Sequence, residues 1–396
     1  MKKLSSYLKQ HKTTLCFALI LFCAALLLNL LARNVSGFGP WYAQNVYPLL
    51  PNTLGRLLSF LPFSLFEVLV VLALLAGGVL LLSALVLLPC LPLSRLTIRR
   101  SCHQAVSALI RMIKKLWGRS LPIIICILAL MFFLQTLTCF INYNRMDFTA
   151  EAGLATYPAT SDDLKQLCSL LIGKLDELVQ DKSLRFDGDG CLSLENIDVK
   201  KEAKAAMVSL GKKYPSLSGC YPNPKAIFFS KAMSTLNLTG IFSPYTTEAN
   251  YNRDVRPYVI PYTICHELAH VKGHIKENEA GFIAYLACSQ SDSPQLRYSG
   301  TLNALSYSLN ALYRSVPEEE YIRVLRTVPK QALNDLIQNQ EYWKRFQTGV
   351  KGAISSAAHS ANDHYLKANA QQDGAKSYGR MVDLLLAYYK IGASEV

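Results

Sequence analysis

Three long apolar runs open the chain. Residues 14–31 carry almost no polar side chain, residues 66–91 carry Glu67 only near their start, and residues 121–141 form the third run. A helix needs about 20 apolar residues to cross a bilayer, and each run is long enough. The pattern predicts three transmembrane helices, at about 14–32, 65–91 and 121–142. Beyond residue 145 the pattern changes. Residues 164–179 repeat apolar positions every three or four residues, behind Ser161-Asp162-Asp163 as a helix start. Residues 199–210 read as a second helix. Ala226-Ile227-Phe228-Phe229 and Gly240-Ile241-Phe242-Ser243-Pro244-Tyr245 read as short strands. Pro244 puts the second at a sheet edge, because proline cannot donate to the ladder. Asp187-Gly188-Asp189-Gly190 is a turn that lacks the further ligands of a calcium loop. After residue 282 the chain reads as mostly helical, with helices over 307–313, 319–326, 331–348 and 381–389. The expectation is an α+β fold, mostly helical: a membrane domain over 1–144 and a second domain over 145–396 with a small sheet.

Charge adds an orientation. Charged residues make up 17% of the chain, below the roughly 25% of soluble domains. Lys2, Lys3, Lys9 and Lys12 precede the first run. Arg95, Arg99, Arg100, Arg111, Lys114, Lys115 and Arg119 lie between the second and third, and only Arg33 and Arg56 lie between the first and second. Basic flanks stay inside, which predicts a multi-pass membrane protein with a cytoplasmic N-terminus and an extracytoplasmic C-terminal domain. Leu31-Ala32-Arg33 is a poor cleavage site, so the first run reads as an anchor. The net charge of +13 then reflects contact with anionic lipid, and no nucleic-acid partner is expected. Trp41, Tyr42 and Tyr47 suit a bilayer interface, and residues 55–62 suit a short interfacial helix. Of 11 cysteines, Cys168, Cys191, Cys220, Cys265 and Cys288 fall in the second domain, without C-x-x-C spacing. Cys265 reads as a small buried apolar residue. The oligomeric state is left open.

The chemistry lies in His266-Glu267-Leu268-Ala269-His270, an H-E-x-x-H motif behind the apolar run 259–265. On a helix, i and i+4 share a face, so His266 and His270 can reach one Zn²⁺, with Glu267 beside them as general base. A catalytic zinc usually has three protein ligands. A straight helix would leave Glu277 roughly 10 Å beyond His270, so the reading needs a break near Gly273 and a second helix folding back. Glu277 is the preferred third ligand, because Ala280 and Ala284 continue its face and allow close approach. Glu279 is the runner-up, and His274 a third option. Lys276 stands where a metzincin would carry its third histidine.

That set predicts metal-assisted peptide hydrolysis: Glu267 takes a proton from a zinc-activated water and passes it to the leaving amine. Tyr251, Tyr262, His274, His364, Tyr378 and Arg380 are candidate donors to the oxyanion, and Glu248 and Asp383 candidate partners for the imidazoles. The site falls more than 120 residues after the last run, which excludes proteolysis within the membrane.

Four segments carry a family resemblance: 47–64, the stretch from Gly240 to Tyr251, the site from His266 to Ala280, and Tyr365-Leu366-Lys367 with Asp373-Gly374-Ala375-Lys376-Ser377-Tyr378-Gly379. In their order the chain resembles a family of uncharacterised bacterial membrane proteins, common in Firmicutes and Bacteroidetes. The resemblance implies a zincin-like domain and no substrate. Glu277 followed by Ala280 also resembles the gluzincin-type peptidases, although the interval from His270 is shorter than theirs. The expectation is a membrane-anchored zinc metallopeptidase acting on envelope or secreted proteins. The alternative is a non-catalytic zinc-binding or structural envelope protein.

Overall fold

The structure, a computed structural model, describes residues 2–93, 100–368 and 380–392. Helix dominates, and the chain divides into two compact units, residues 1–35 with 65–137, and residues 36–64 with 138–396.

The first unit contains α1 (Lys12–Asn34), α2 (Leu65–Leu93) and α3 (Arg100–Gln135). Three candidate membrane spans fall at Lys12–Asn34, Leu65–Cys90 and Gln104–Asn144. α1 buries Ala18, Ala25 and Ala32, a stripe of small residues two turns apart that suits close packing in lipid. Asn29 Nδ2 donates to Thr136 Oγ1 at 2.8 Å. Ile20, Leu27, Leu74 and Leu82 point outward and exposed, which is costly in water and neutral in hydrocarbon. The expected loop between the second and third spans is helical from Arg100, so Arg111, Lys114, Lys115 and Arg119 lie along α3. Arg95 and Arg99 lie outside the described residues.

In the second unit, α4 (Ser161–Val179) starts one residue earlier than the pattern suggested: Thr160 is the cap, in a reciprocal box with Asp163. α4 buries Leu164, Leu167, Leu171 and Leu175. Strands β1 (Arg185–Phe186) and β2 (Leu192–Ser193) form a hairpin. Its turn is held by Asp187 Oδ1, which accepts from the Asp189 and Cys191 N–H groups. α5 (Val199–Leu210) follows, capped by Asp198. A three-stranded sheet has the order β3 (Lys225–Ala226), β5 (Glu248–Tyr251), β4 (Gly240–Ser243), with β3 parallel and β4 antiparallel to β5. β4 is an edge strand. The strand expected over 226–229 ends at Ala226, and Phe228 and Phe229 are exposed. The central strand was missed because Glu248 and Asn250 are polar yet buried.

Further helices among the described residues include α6 (Val259–Val271), α7 (Glu277–Ser289), α8 (Pro294–Tyr313), α9 (Lys330–Lys344), α10 (Gly349–Ala368) and α11 (Met381–Tyr389), and Glu318–Leu325 forms a short helix where one was expected over 319–326. α6 and α7 are apolar nearly all round, as helices in the middle of a core are. They pack on each other and on α8. Ala280 and Ala284 are fully buried, and Tyr262 Oη donates to Gly281 O at 3.1 Å. Residues 36–64, read from sequence as part of the membrane domain, pack within this unit. Lys225 Nζ donates to Leu61 O, and Ser59 Oγ accepts from the Asn223 N–H at 2.8 Å. Only Arg56–Leu58 of the expected interfacial helix is α-helical.

Candidate metal centre

The helix that carries the motif ends at Val271. Gly273, at φ +81°, takes a left-handed conformation that a side chain disfavours. The His274 N–H donates back to Ala269 O at 3.2 Å, and by Glu277 the chain has begun the returning helix α7. The reversal brings three side chains together. Glu277 Oε2 lies 3.1 Å from His266 Nε2 and 3.5 Å from His270 Nε2. One ligand atom from each of the three lies within 4.8 Å of the others. A tetrahedral ion with bonds of 2.0–2.1 Å holds its ligands about 3.3 Å apart, so the spacing fits one zinc-sized cation.

The second imidazole is also oriented. His270 Nδ1 lies 2.8 Å from His274 O. A carbonyl only accepts, so Nδ1 carries the proton and Nε2 presents its lone pair to the cage. The partner is a backbone carbonyl, not Glu248 or Asp383: Glu248 accepts from Thr246 Oγ1 at 2.8 Å, and Asp383 interacts with Arg380.

The buried charges of the cluster depend strongly on one another. Burial opposes the charge on Glu277, yet His270 and His266 hold it well below the usual carboxylate range. Burial also opposes charge on His270, but Glu277 and Glu267 push it up to about 9. Burial raises Glu267 to about 8, against the pull of His270. Its Oε2 is buried without a hydrogen-bond partner among the described residues. Two carboxylates and two imidazoles thus share a pocket with an unfilled acceptor, a donor set suited to a divalent ion and its water.

A cavity of about 580 Å³ opens beside Glu267 and His266, lined also by Leu238, Gly240, Ile241, Tyr262, Tyr307 and Trp343. β4 runs along it. A Cβ on Gly240 would stand 2.6 Å from Thr263 Cγ2 and closer still to Glu267 Oε1, so only glycine allows this approach. The Phe242 N–H donates to the Glu267 carboxylate.

The remaining sequence candidates go elsewhere. Glu279, the runner-up ligand, turns away: it accepts from the Phe148 N–H at 3.0 Å and lies 3.5 Å from His274 Nδ1. Two residues on a helix differ by about 200°, so Glu277 and Glu279 cannot face the same ion. His274 is fully buried, with Nε2 2.9 Å from Ser216 Oγ. Tyr251 ends β5 near Arg253 and Asp198 and does not line the cavity. Arg380 precedes α11 and is exposed, and His364 is exposed on α10. Tyr378 lies outside the described residues. The sequence reading missed Tyr307. It lines the cavity, and burial with the nearby Glu277 charge pushes its phenol up to about 12. The spacing of Asn303 and Tyr307, both on the cavity side of α8, was its only trace in the sequence.

The chain belongs to the family described as protein of unknown function (DUF3810), whose model matches residues 42–386. No curated protein and no solved structure matches it.

Proposed function

With membership of that family as the premise, we propose that this chain is a membrane-anchored zinc metallopeptidase with a zincin-like catalytic unit. The observation that carries the reading is the convergence of His266, His270 and Glu277, with Glu267 beside them at a cavity wall. Zinc, when bound, supplies Lewis-acid polarisation of a carbonyl and makes water acidic near neutral pH. Glu267 then takes a proton from water and returns it to the leaving amine. Its unpartnered Oε2 leaves that role open. Tyr307, near Glu277, donates to the oxyanion. An extended peptide lies along the edge of β4. Leu238, Ile241, Val259 and Trp343 line the cavity, which favours an uncharged, largely apolar side chain. The catalytic unit faces the cell exterior, and its substrates are envelope or secreted proteins.

The test uses the full chain in detergent. Wild type is expected to hold one zinc and to cleave members of a peptide library. Glu267→Gln is expected to keep the zinc and lose about 10²–10⁴ in turnover. A wild-type protein without zinc overturns the reading. Stoichiometric zinc with no cleavage of any peptide would instead favour the non-catalytic metal-binding alternative.

A further inference from the structure

The turn between His270 and Glu277 is held from outside. Tyr47 Oη donates to Val271 O at 3.0 Å and approaches His270 O at 3.4 Å. The tyrosine is 1% exposed, and its ring packs against Gly273, where an added Cβ would stand 2.8 Å from Cε1. Arg145 Nη1 donates to Lys272 O at 2.8 Å. Two segments remote in sequence therefore supply donors to the last carbonyls of α6, groups a helix end leaves without intrahelical partners. They do so between the second imidazole and the returning carboxylate.

We propose that Tyr47 and Arg145 are positioning residues for the metal cage. They fix the turn from Val271 to Lys276, so that Glu277 meets His266 and His270 and the His274 carbonyl meets His270 Nδ1. Residues 36–64, which join the first two candidate spans, are then a working part of the centre and not a linker. The inference rests on the metal-centre reading for its consequence, but not for its geometry. Removing the Tyr47 hydroxyl leaves the ring in place and deprives the Val271 carbonyl of its donor. The reversal loosens, and the three ligand atoms no longer stay within bonding range of one ion. A partner behind a metal ligand typically changes metal affinity about 10–100-fold when lost.

The experiment compares wild type, Tyr47→Phe and Arg145→Gln as full-length protein in detergent, with two readouts. Amide hydrogen exchange is measured on metal-free protein, and zinc affinity by chelator competition. The expected result is faster exchange in a peptide over 268–280, unchanged exchange in α4 and α8, and zinc affinity about 10–100-fold weaker in both variants. Exchange over 268–280 that matches wild type in Tyr47→Phe overturns the proposal, and so does an unchanged zinc affinity. If wild type binds no zinc while exchange over 268–280 still rises, the metal reading fails and the clamp on the turn stands.

Discussion

Gly240→Ala tests the contact between the edge strand and Glu267, the general base of the proposed reaction. A Cβ at this position would meet Thr263 Cγ2 at 2.6 Å and Glu267 Cγ at 2.8 Å. Ordinary carbon contacts lie near 3.5–4.0 Å, so β4 or the Glu267 side chain must retreat by about 1 Å. Overpacking of this kind costs about 1–3 kcal/mol. At roughly 2–4 °C per kcal/mol for a domain of this size, the melting temperature in detergent should fall by about 2–12 °C. A shift of about 1 Å in a catalytic group costs on the order of 10² in rate, so turnover should fall far more than stability alone implies. Zinc content should remain, because His266, His270 and Glu277 do not touch Gly240. Combining the change with Glu267→Ala removes the carboxylate from the clash, and the double variant should recover part of the lost stability, a coupling that a double-mutant cycle reads directly. A melting temperature within 1 °C of wild type, or a cycle with no coupling, would refute the packing argument.

Glu277 and Glu279 should separate cleanly. Glu277→Ala is expected to lose zinc, measured by metal analysis. Glu279→Ala should keep zinc but lower the melting temperature, because the buried Phe148 N–H loses its acceptor at a cost of about 1–3 kcal/mol. Asp335 predicts a pH dependence. Burial pushes its carboxyl up to about 6, although Tyr298 and the Leu192 N–H oppose the rise. The folded state then holds the proton more tightly than the unfolded chain, so this contribution is most favourable below the ordinary carboxylate pKa near 4. It declines as pH rises to about 6, by a total of about 3 kcal/mol. Asp335→Asn should flatten that part of the curve in denaturant titrations across pH 4–7.

Much of this protein is legible in local pattern. The three apolar runs define the three span-length helices because length and composition decide whether a segment can cross a bilayer, and no distant contact enters. The helices over 199–210 and 381–389 coincide with the expected ranges for a related reason: periodicity and caps are local. The pair His266 and His270 also follows from helix geometry alone. That Glu277 and not Glu279 lies beside the two imidazoles was foreseeable from the small residues on its face, since Ala280 and Ala284 mark the side that approaches α6.

The rest needed the third dimension. β5 is central but polar: Asn250 Nδ2 donates to the Ile241 carbonyl, and the Glu248 carboxylate accepts from Thr246 Oγ1. Such buried polar contacts leave no period in the sequence. Tyr307 reaches the site from a helix some 40 residues on, and Tyr47 reaches the end of α6 from more than 220 residues before it. Sequence spacing decides which residues share one helix face. Which distant side chains supply donors to the end of that helix is decided only when the separate elements close around a common core.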